Sequence, residues 1–279
     1  MAPILHSSDL VIHPTAIINP KAQVHESVQV GPYAVIDADV ELGAGCIVGP
    51  HVYITGKTCI GAGNRFFAGC VIGEAPQDLK YTGALTGVRI GDRNVFREHV
   101  TVHRSTKPEE NTIIGSDNFL MANVHVAHNC RLHNSVIMAN GALLGGHAEI
   151  FDRAFISGNC LVHQFTRVGT LAMMQGGSAA SKDVPPFTIA HHINTLAGLN
   201  VVGMRRAGIN SADRLELKKL YHLLYRAPEH GFRHALAATQ SKFSSGVARQ
   251  VFEFLSGAKR GICMASSSRT TGPQEAGEE

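Results

Sequence analysis

The chain contains no tryptophan, and Phe, Trp and Tyr together make up only 6% of it. It has no CxxC pair among Cys46, Cys59, Cys70, Cys130, Cys160 and Cys263, which argues against a zinc ribbon or a thioredoxin-like motif. No apolar run reaches the roughly 18 residues of a membrane-spanning helix. The first ten residues lack the basic and apolar regions of a secretory signal. The net charge of +3 is small, and no Lys/Arg-rich run is interleaved with aromatics, so a nucleic-acid partner is not expected. Disulfides are a poor reading too, because Cys46, Cys70, Cys130 and Cys160 recur at one position of a repeat. A reduced, cytoplasmic compartment fits.

What the chain has in quantity is glycine, 29 of 279 residues, and aliphatic side chains. That composition suggests many tight turns around a thin core. Reading every sixth residue from Ile12 gives Ile18, Val24, Val30, Ile36, Leu42, Val48, Ile54, Ile60, Phe66 and Ile72. The same phase resumes at Ile90, Phe96 and Val102, and again from Ile114 to Met174. Every one of these positions is aliphatic, Met or Phe. Four residues after them stand compact residues such as Ala16, Ala34, Cys46, Cys70, Cys130, Ala142 and Cys160, and Gly often follows directly, where it would relieve unusual turn dihedrals. A period of six fits neither a helix nor an open strand. It fits a short strand plus a turn, three of which close a triangular coil of about 18 residues. We therefore expect a mainly β chain, a left-handed parallel β-helix of about eight to nine coils, stabilised by stacking between neighbours. A β-sandwich would not hold one phase for so long.

The expected β-helix domain spans 1–190, with its body from about Ile12 to about Ser178. Segments 74–89 and 105–112 cannot supply inward aliphatics in phase and should bulge out as loops, where function often sits. Pro185-Pro186 should stop the repeat. A helical domain is expected over 191–262, with helices at about 212–225, 229–241 and 246–256. Asn210-Ser211 would cap the first, and Leu215, Leu217, Leu220, Leu223 and Leu224 would form its apolar stripe. The Ser/Thr/Gly/Glu-rich tail, 263–279, is expected to be disordered.

His125, His128, His147 and His163 fall in the later coils, with His128, His147 and His163 roughly one coil apart. A single turn histidine is usually just polar and exposed. Several stacked along one edge suggest chemistry. One edge of a lone prism is convex, so a pocket needs a second wall. A threefold trimer would supply it, which puts the site at a subunit interface.

Certain stretches are more specific than the repeat: IGEAPQDLKY (72–81), IGDRNVFREHVTVHR (90–104), GSDNFLMANVHVAHNC (115–130), LLGGHAEI (143–150), LVHQF (161–165), DVPPFTIA (183–190) and GMRRAGI (203–209). With them the chain, over roughly 8–262, resembles the UDP-N-acetylglucosamine O-acyltransferases. These transfer an R-3-hydroxyacyl group from acyl carrier protein in the first step of lipid A synthesis. The resemblance implies a cytoplasmic homotrimer without cofactor or metal. It implies His128 as general base and the Gly146 N–H as oxyanion donor. It assigns substrate contacts to Asp78, Lys80, His125, His147, His163 and Gln164, phosphate or nucleotide contacts to Asn200 and Arg206, and acyl-length control to Gly176. Arg205 would assist at the phosphate or steer the acidic carrier protein.

Two residues depart from the family pattern. Asn129 stands where Asp is usual, so a less basic His128 is expected, because an amide orients a ring without adding charge. Ala207 stands where many relatives carry Arg. The residues by themselves leave open a metalloenzyme on the same fold, resembling the γ-class carbonic anhydrases, or a non-catalytic scaffold. Whether the acceptor bears a 3-hydroxyl or a 3-amino group is also open.

Overall fold

The computed structural model describes residues 12–226 and 231–265. Twenty-five short strands run from Ile17–Ile18 to Ala179–Ala180 and fall in rotation onto three parallel sheets. Nine strands make the first face, which includes Thr101–His103, His125–Val126, Leu143–Leu144, Leu161–Val162 and Ala179–Ala180. Eight strands make the second face. The remaining eight make the third, which includes Ile137–Met138, Phe155–Ile156 and Met173–Met174 and is extended to eleven strands by Thr188–His191, Thr195–Leu199 and Met264–Ala265. Register between coils is strict: His125 pairs with Leu143, Leu143 with Leu161 and Leu161 with Ala179.

The six-residue phase marks the inward column. Ile36, Ile54, Ile72, Phe96, Leu120, Leu144, Ile156 and Met174 are at most 1% exposed, and Phe66 stacks on Phe96 at 4.8 Å. The compact residues four places on are equally buried from Ala34 onward, as at Cys70 and Ala142, and the Cys46, Cys130 and Cys160 thiols lie near carbonyl oxygens at the corners, at 3.1, 3.2 and 3.0 Å. Each such side chain touches its equivalents in the coils before and after, so burial is shared between neighbours.

The glycines that follow the aliphatic positions have a different reason from the one expected. None of Gly43, Gly49, Gly61 or Gly145 has positive φ; a Cβ on any of them would come within 2.2–2.7 Å of atoms in the next coil. They are small because coils stack closely. The left-handed dihedrals fall two residues later, mostly on residues with side chains: Tyr33, His51, Arg93, Asp117, His147 and Leu171 all have φ near +60°. A left-handed non-glycine residue costs roughly 1–2 kcal/mol. Here those residues form columns and stack, as His147 does on Phe165 at 4.5 Å.

Both bulges are present but shorter than expected, since strands Val71–Glu74, Gly87–Ile90 and Asn111–Ile114 take their ends. The first loop runs 75–86 and the second 104–110. Buried Ser105 closes the second, its Oγ donating to the Glu110 carbonyl at 2.6 Å.

The prolines do not end the sheet. Thr188–His191 adds one more parallel strand beside Met173–Met174, then Thr195–Leu199 turns back antiparallel. The part expected to be helical from 191 therefore begins as a hairpin. Helix α1 (Val201–Arg206), α2 (Ser211–Tyr221) with a π turn over His222–Arg226, α3 (Phe232–Gln240) and α4 (Gly246–Ser256) follow. Asn210 caps α2 by accepting from the Asp213 N–H, as expected. Leu217, Leu220 and Leu224 are buried, whereas Leu215 (54% exposed) and Leu223 (38%) fall outside the stripe. Residues 263–265 are ordered too: Cys263 is buried and Met264–Ala265 pairs with Thr195–Leu199. The rest of the expected tail lies outside the described residues. The helical part is held to the prism by Arg167, which pairs with buried Asp183 at 2.7 Å and donates to the Phe254 carbonyl at 2.8 Å.

Candidate active site

The corner that follows the first face carries the histidines. Its columns come directly from the repeat. Asn129, His147 and Phe165 share the left-handed position, with φ of 59°, 59° and 63°. The residues just before them, His128, Gly146 and Gln164, form the adjacent column. Gly146 has no side chain, so the His128 ring folds over it: a Cβ on Gly146 would lie 2.5 Å from His128 Cε1 and 2.7 Å from Nε2. The His147 ring packs edge-on against His128, centroids 5.4 Å apart.

The His128 ring is tied from behind. Its Nδ1 lies 2.9 Å from Asn129 Oδ1. That oxygen also accepts from the Thr106 backbone N–H at 3.1 Å and hydroxyl at 3.0 Å. A backbone N–H can only donate, so the atom facing it is the amide oxygen and the proton on the ring sits on Nδ1. Nε2 has no hydrogen-bond partner among the described residues, and His128 lines the groove described next. The Asn129 NH2 donates to Glu110 Oε2 at 2.5 Å. Gly146 is buried, and its N–H finds no acceptor among the described residues.

A groove of about 610 Å³ runs up this face. His103, His125 and His128 line one end, with Gln77 from the first bulge. Exposed Leu143, Leu161 and Ile193 line the rest, with Ala179. His125 shares a hydrogen bond of 2.7 Å with Thr101 Oγ1, and burial together with the charge of His128 holds its pKa below the ordinary histidine value. His147 is lowered for the same two reasons. His103 is only 6% exposed; burial, then the neighbouring charge of His125, pushes it down to about 4. In all three rings burial favours the neutral form.

The expected residues divide between places. His125, His128, Gly146, His163 and Gln164 line the histidine groove. His147 stands behind His128. Asp78 and Lys80 are on the first bulge, but Gln77 is the residue that reaches the groove; Asp78 Oδ1 accepts its own loop's Lys80 N–H at 2.9 Å. Gly176 is at an exposed corner, where a Cβ would meet only the Gly158 carbonyl at 3.6 Å. Asn200 and Arg206 are on another face altogether. They line a groove of about 790 Å³ between α1 and the third face, with Arg153, Phe155 and Met173. Asn200 is buried as the cap of α1, accepting from Gly203 N–H and donating to the Leu171 carbonyl, both at 2.9 Å. Its side-chain donor and acceptor are thus already engaged. Among the described residues, no three His, Cys, Asp or Glu side chains are grouped to hold a metal ion.

His103, Gln77 and the Leu143–Leu161–Ala179 column were not singled out from the sequence. The column was readable, since its members are one coil apart. His103 was hidden because it is not the repeat equivalent of His125, whose partner in register is Thr101; the two rings meet edge-on at 4.9 Å across that offset.

Comparison with known proteins fits this geometry. A family model described as Udp N-acetylglucosamine O-acyltransferase, domain 2, matches residues 183–263, and the bacterial transferase hexapeptide model matches 21–56 and 111–146. The acyl-[acyl-carrier-protein]–UDP-N-acetylglucosamine O-acyltransferase of Janthinobacterium sp. (strain Marseille) is 45% identical over 258 residues, 90% of this chain and 98% of that protein. The chain belongs to the UDP-N-acetylglucosamine O-acyltransferase family. The equally named protein of Gloeothece citriformis is 50% identical over 177 residues, 63% of this chain and 64% of the relative. The crystal structure of Francisella novicida UDP-N-acetylglucosamine acyltransferase superposes with a TM-score of 0.88 at 32% identity, over 92% of this chain and 95% of that one. The family's left-handed β-helix is thus the fold of this chain. No described helix is long and apolar enough to cross a membrane.

Proposed function

We propose that this family member transfers an R-3-hydroxyacyl group from acyl carrier protein to the 3-hydroxyl of UDP-N-acetylglucosamine, the first step of lipid A synthesis, in the cytoplasm. Its relatives carry the donor and acceptor in their names. The observation that carries the mechanism is the pairing of a bare His128 Nε2 with the unengaged Gly146 N–H in one apolar-floored groove. His128 Nε2 takes the proton of the sugar 3-hydroxyl as that oxygen attacks the thioester carbonyl. The carbonyl oxygen becomes an oxyanion and accepts from Gly146 N–H. Collapse breaks the carbon–sulfur bond, and the thiolate leaving with the carrier takes the proton back from His128. The Leu143–Leu161–Ala179 column and Ile193 receive the acyl chain. Asp78, Lys80, His125, His147, His163 and Gln164 position the reactants, and Gly176 leaves room for a long chain.

The working unit is a homotrimer with sites between subunits. What supports this is that Asn200 and Arg206 lie on a different face from the histidines, so one chain cannot direct both sets at one ligand. Arg206, exposed at the end of α1, binds the diphosphate of the sugar nucleotide.

The test is transfer from R-3-hydroxyacyl-acyl carrier protein to UDP-N-acetylglucosamine by the wild type and by His128→Ala. Transfer that is lost in the folded variant supports reaction and base together. Transfer by the wild type only to the 3-amino acceptor would change the product from ester to amide. Transfer by neither, with chain lengths varied, would overturn the reading.

A further inference from the structure

We infer that Glu110, on the second bulge, is a positioning residue that lends His128, through the amide of Asn129, the negative charge that Asn129 lacks. This rests on the reading of His128 as the base. The chain of contacts is continuous: Glu110 Oε2 accepts from Asn129 Nδ2 at 2.5 Å, and Asn129 Oδ1 accepts from His128 Nδ1 at 2.9 Å. Both ends of the amide are specified. Thr106 N–H fixes the oxygen side, and a carboxylate, which only accepts when ionised, fixes the NH2 side. The amide therefore cannot flip, and the ring is held with its proton on Nδ1. A carboxylate on the far side of an amide also polarises it, and strengthens the bond its oxygen accepts.

Glu110 is itself held for this task. Its carbonyl takes the Ser105 hydroxyl, its N–H donates to the Lys107 carbonyl at 3.1 Å, and its other carboxylate oxygen, Oε1, is 3.2 Å from Lys107 Nζ. Each oxygen thus has one partner. The other titratable groups around the relay are His147 against the ring, His125 and His103 along the groove, Lys107 at the carboxylate, and Asp78 on the first bulge, whose charge reaches His147 as that of Glu110 does.

The departure at Asn129 then has a partner. An Asp there would face the Glu110 carboxylate at hydrogen-bond distance, and two such carboxylates cannot both ionise cheaply. Asn129 and Glu110 do together what one Asp does alone, with the charge moved one residue back. It follows that Asn129→Asp by itself does not yield a better base, because it breaks the relay.

The experiment is the pH dependence of kcat/KM for the wild type, Glu110→Gln, Asn129→Asp and the double variant, with thermal unfolding as the check on folding. Gln keeps an acceptor for Asn129 and removes only the charge. Glu110→Gln should lower kcat/KM about tenfold and move the acid limb to lower pH, since charge removal makes the base less basic. Asn129→Asp should also lose activity, and the double variant should recover to within about threefold of wild type, a non-additivity that a merely structural loop residue does not produce. An unmoved acid limb in Glu110→Gln with additive effects in the double variant would overturn the relay. The ring ¹⁵N shifts of His128 give a readout independent of turnover: an Nδ1–H tautomer in the wild type that becomes mixed in Glu110→Gln supports the relay, and an unchanged tautomer with an unmoved titration counts against it. Failure of the wild type to transfer acyl groups at all would strike the proposed reaction instead, with the ¹⁵N result still deciding the relay.

Discussion

The two grooves of this molecule are built on opposite plans. The histidine groove lies on a face of stacked coils, where most side-chain positions follow from their place in the repeat, with Gln77 added by the first bulge and Ile193 by the closing hairpin. Its polar groups converge on a few atoms, while Leu143, Leu161 and Ile193 stay exposed. The groove beside α1 is bounded by a short helix that breaks the repeat. There the polar residues are spread, and Asn200 is used up as a cap. The first groove holds the proposed base, and the second has a cation, Arg206, suited to an anion. On the proposed reading the base and the phosphate contact lie in different grooves of one chain, and this contrast is what supports a site shared between chains.

The contrast can be broken by exchange. His128→Ala should cost on the order of 10³-fold in kcat/KM without lowering the unfolding temperature, as expected for loss of a general base. If sites are shared, chains carrying His128→Ala, refolded with chains carrying Arg206→Ala, should regain activity. With Arg206→Ala tenfold impaired, an equal mixture should reach about a quarter of wild-type activity, against about a twentieth if each site lies within one chain. Activity at the lower level would restore the single-chain site.

Stability should separate the grooves as well, because only the first is lined by histidines whose pKa burial lowers. His103 has a folded pKa of about 4 against an ordinary 6.5, so the unfolded chain binds more protons between those values. Its contribution is complete above the unfolded pKa and is lost as pH falls toward 4, at most about 3 kcal/mol. His125 and His147 act in the same direction. Urea midpoints measured at falling pH should drop through this window, and His103→Leu should flatten the fall. A curve equally steep in the variant would show that the loss lies elsewhere.

Gly146→Ala sharpens the comparison at a single atom. The added methyl collides with the His128 ring rather than with backbone, so the fold should survive while kcat falls about 10²-fold. The smallest effect is expected in the other groove. Arg206→Ala should raise KM for the sugar nucleotide about tenfold and leave kcat nearly unchanged, consistent with a binding contact remote from the bond being made. A fall in kcat with unchanged KM would assign Arg206 to the chemistry.

The sequence by itself determined the prism. One apolar side chain in six, kept in phase from Ile12 to Met174 except across the two bulges and buried from Val30 onward, admits no other regular fold, because the burial of each coil depends on the same residue in the next. It also marked both bulges and the histidine edge, since residues one coil apart must stack. It misjudged features that depend on distance across coils. The glycines after the aliphatic positions are small because the neighbouring coil is close, and Leu215 faces solvent because the packing of α2 sets its rotation. Only the tertiary structure put Glu110 behind Asn129, moved His103 beside His125 across a bulge, and set Arg206 on a different face from His128. Those relations join residues with no common period, and loop closure and helix docking, not repetition, decide where such residues meet.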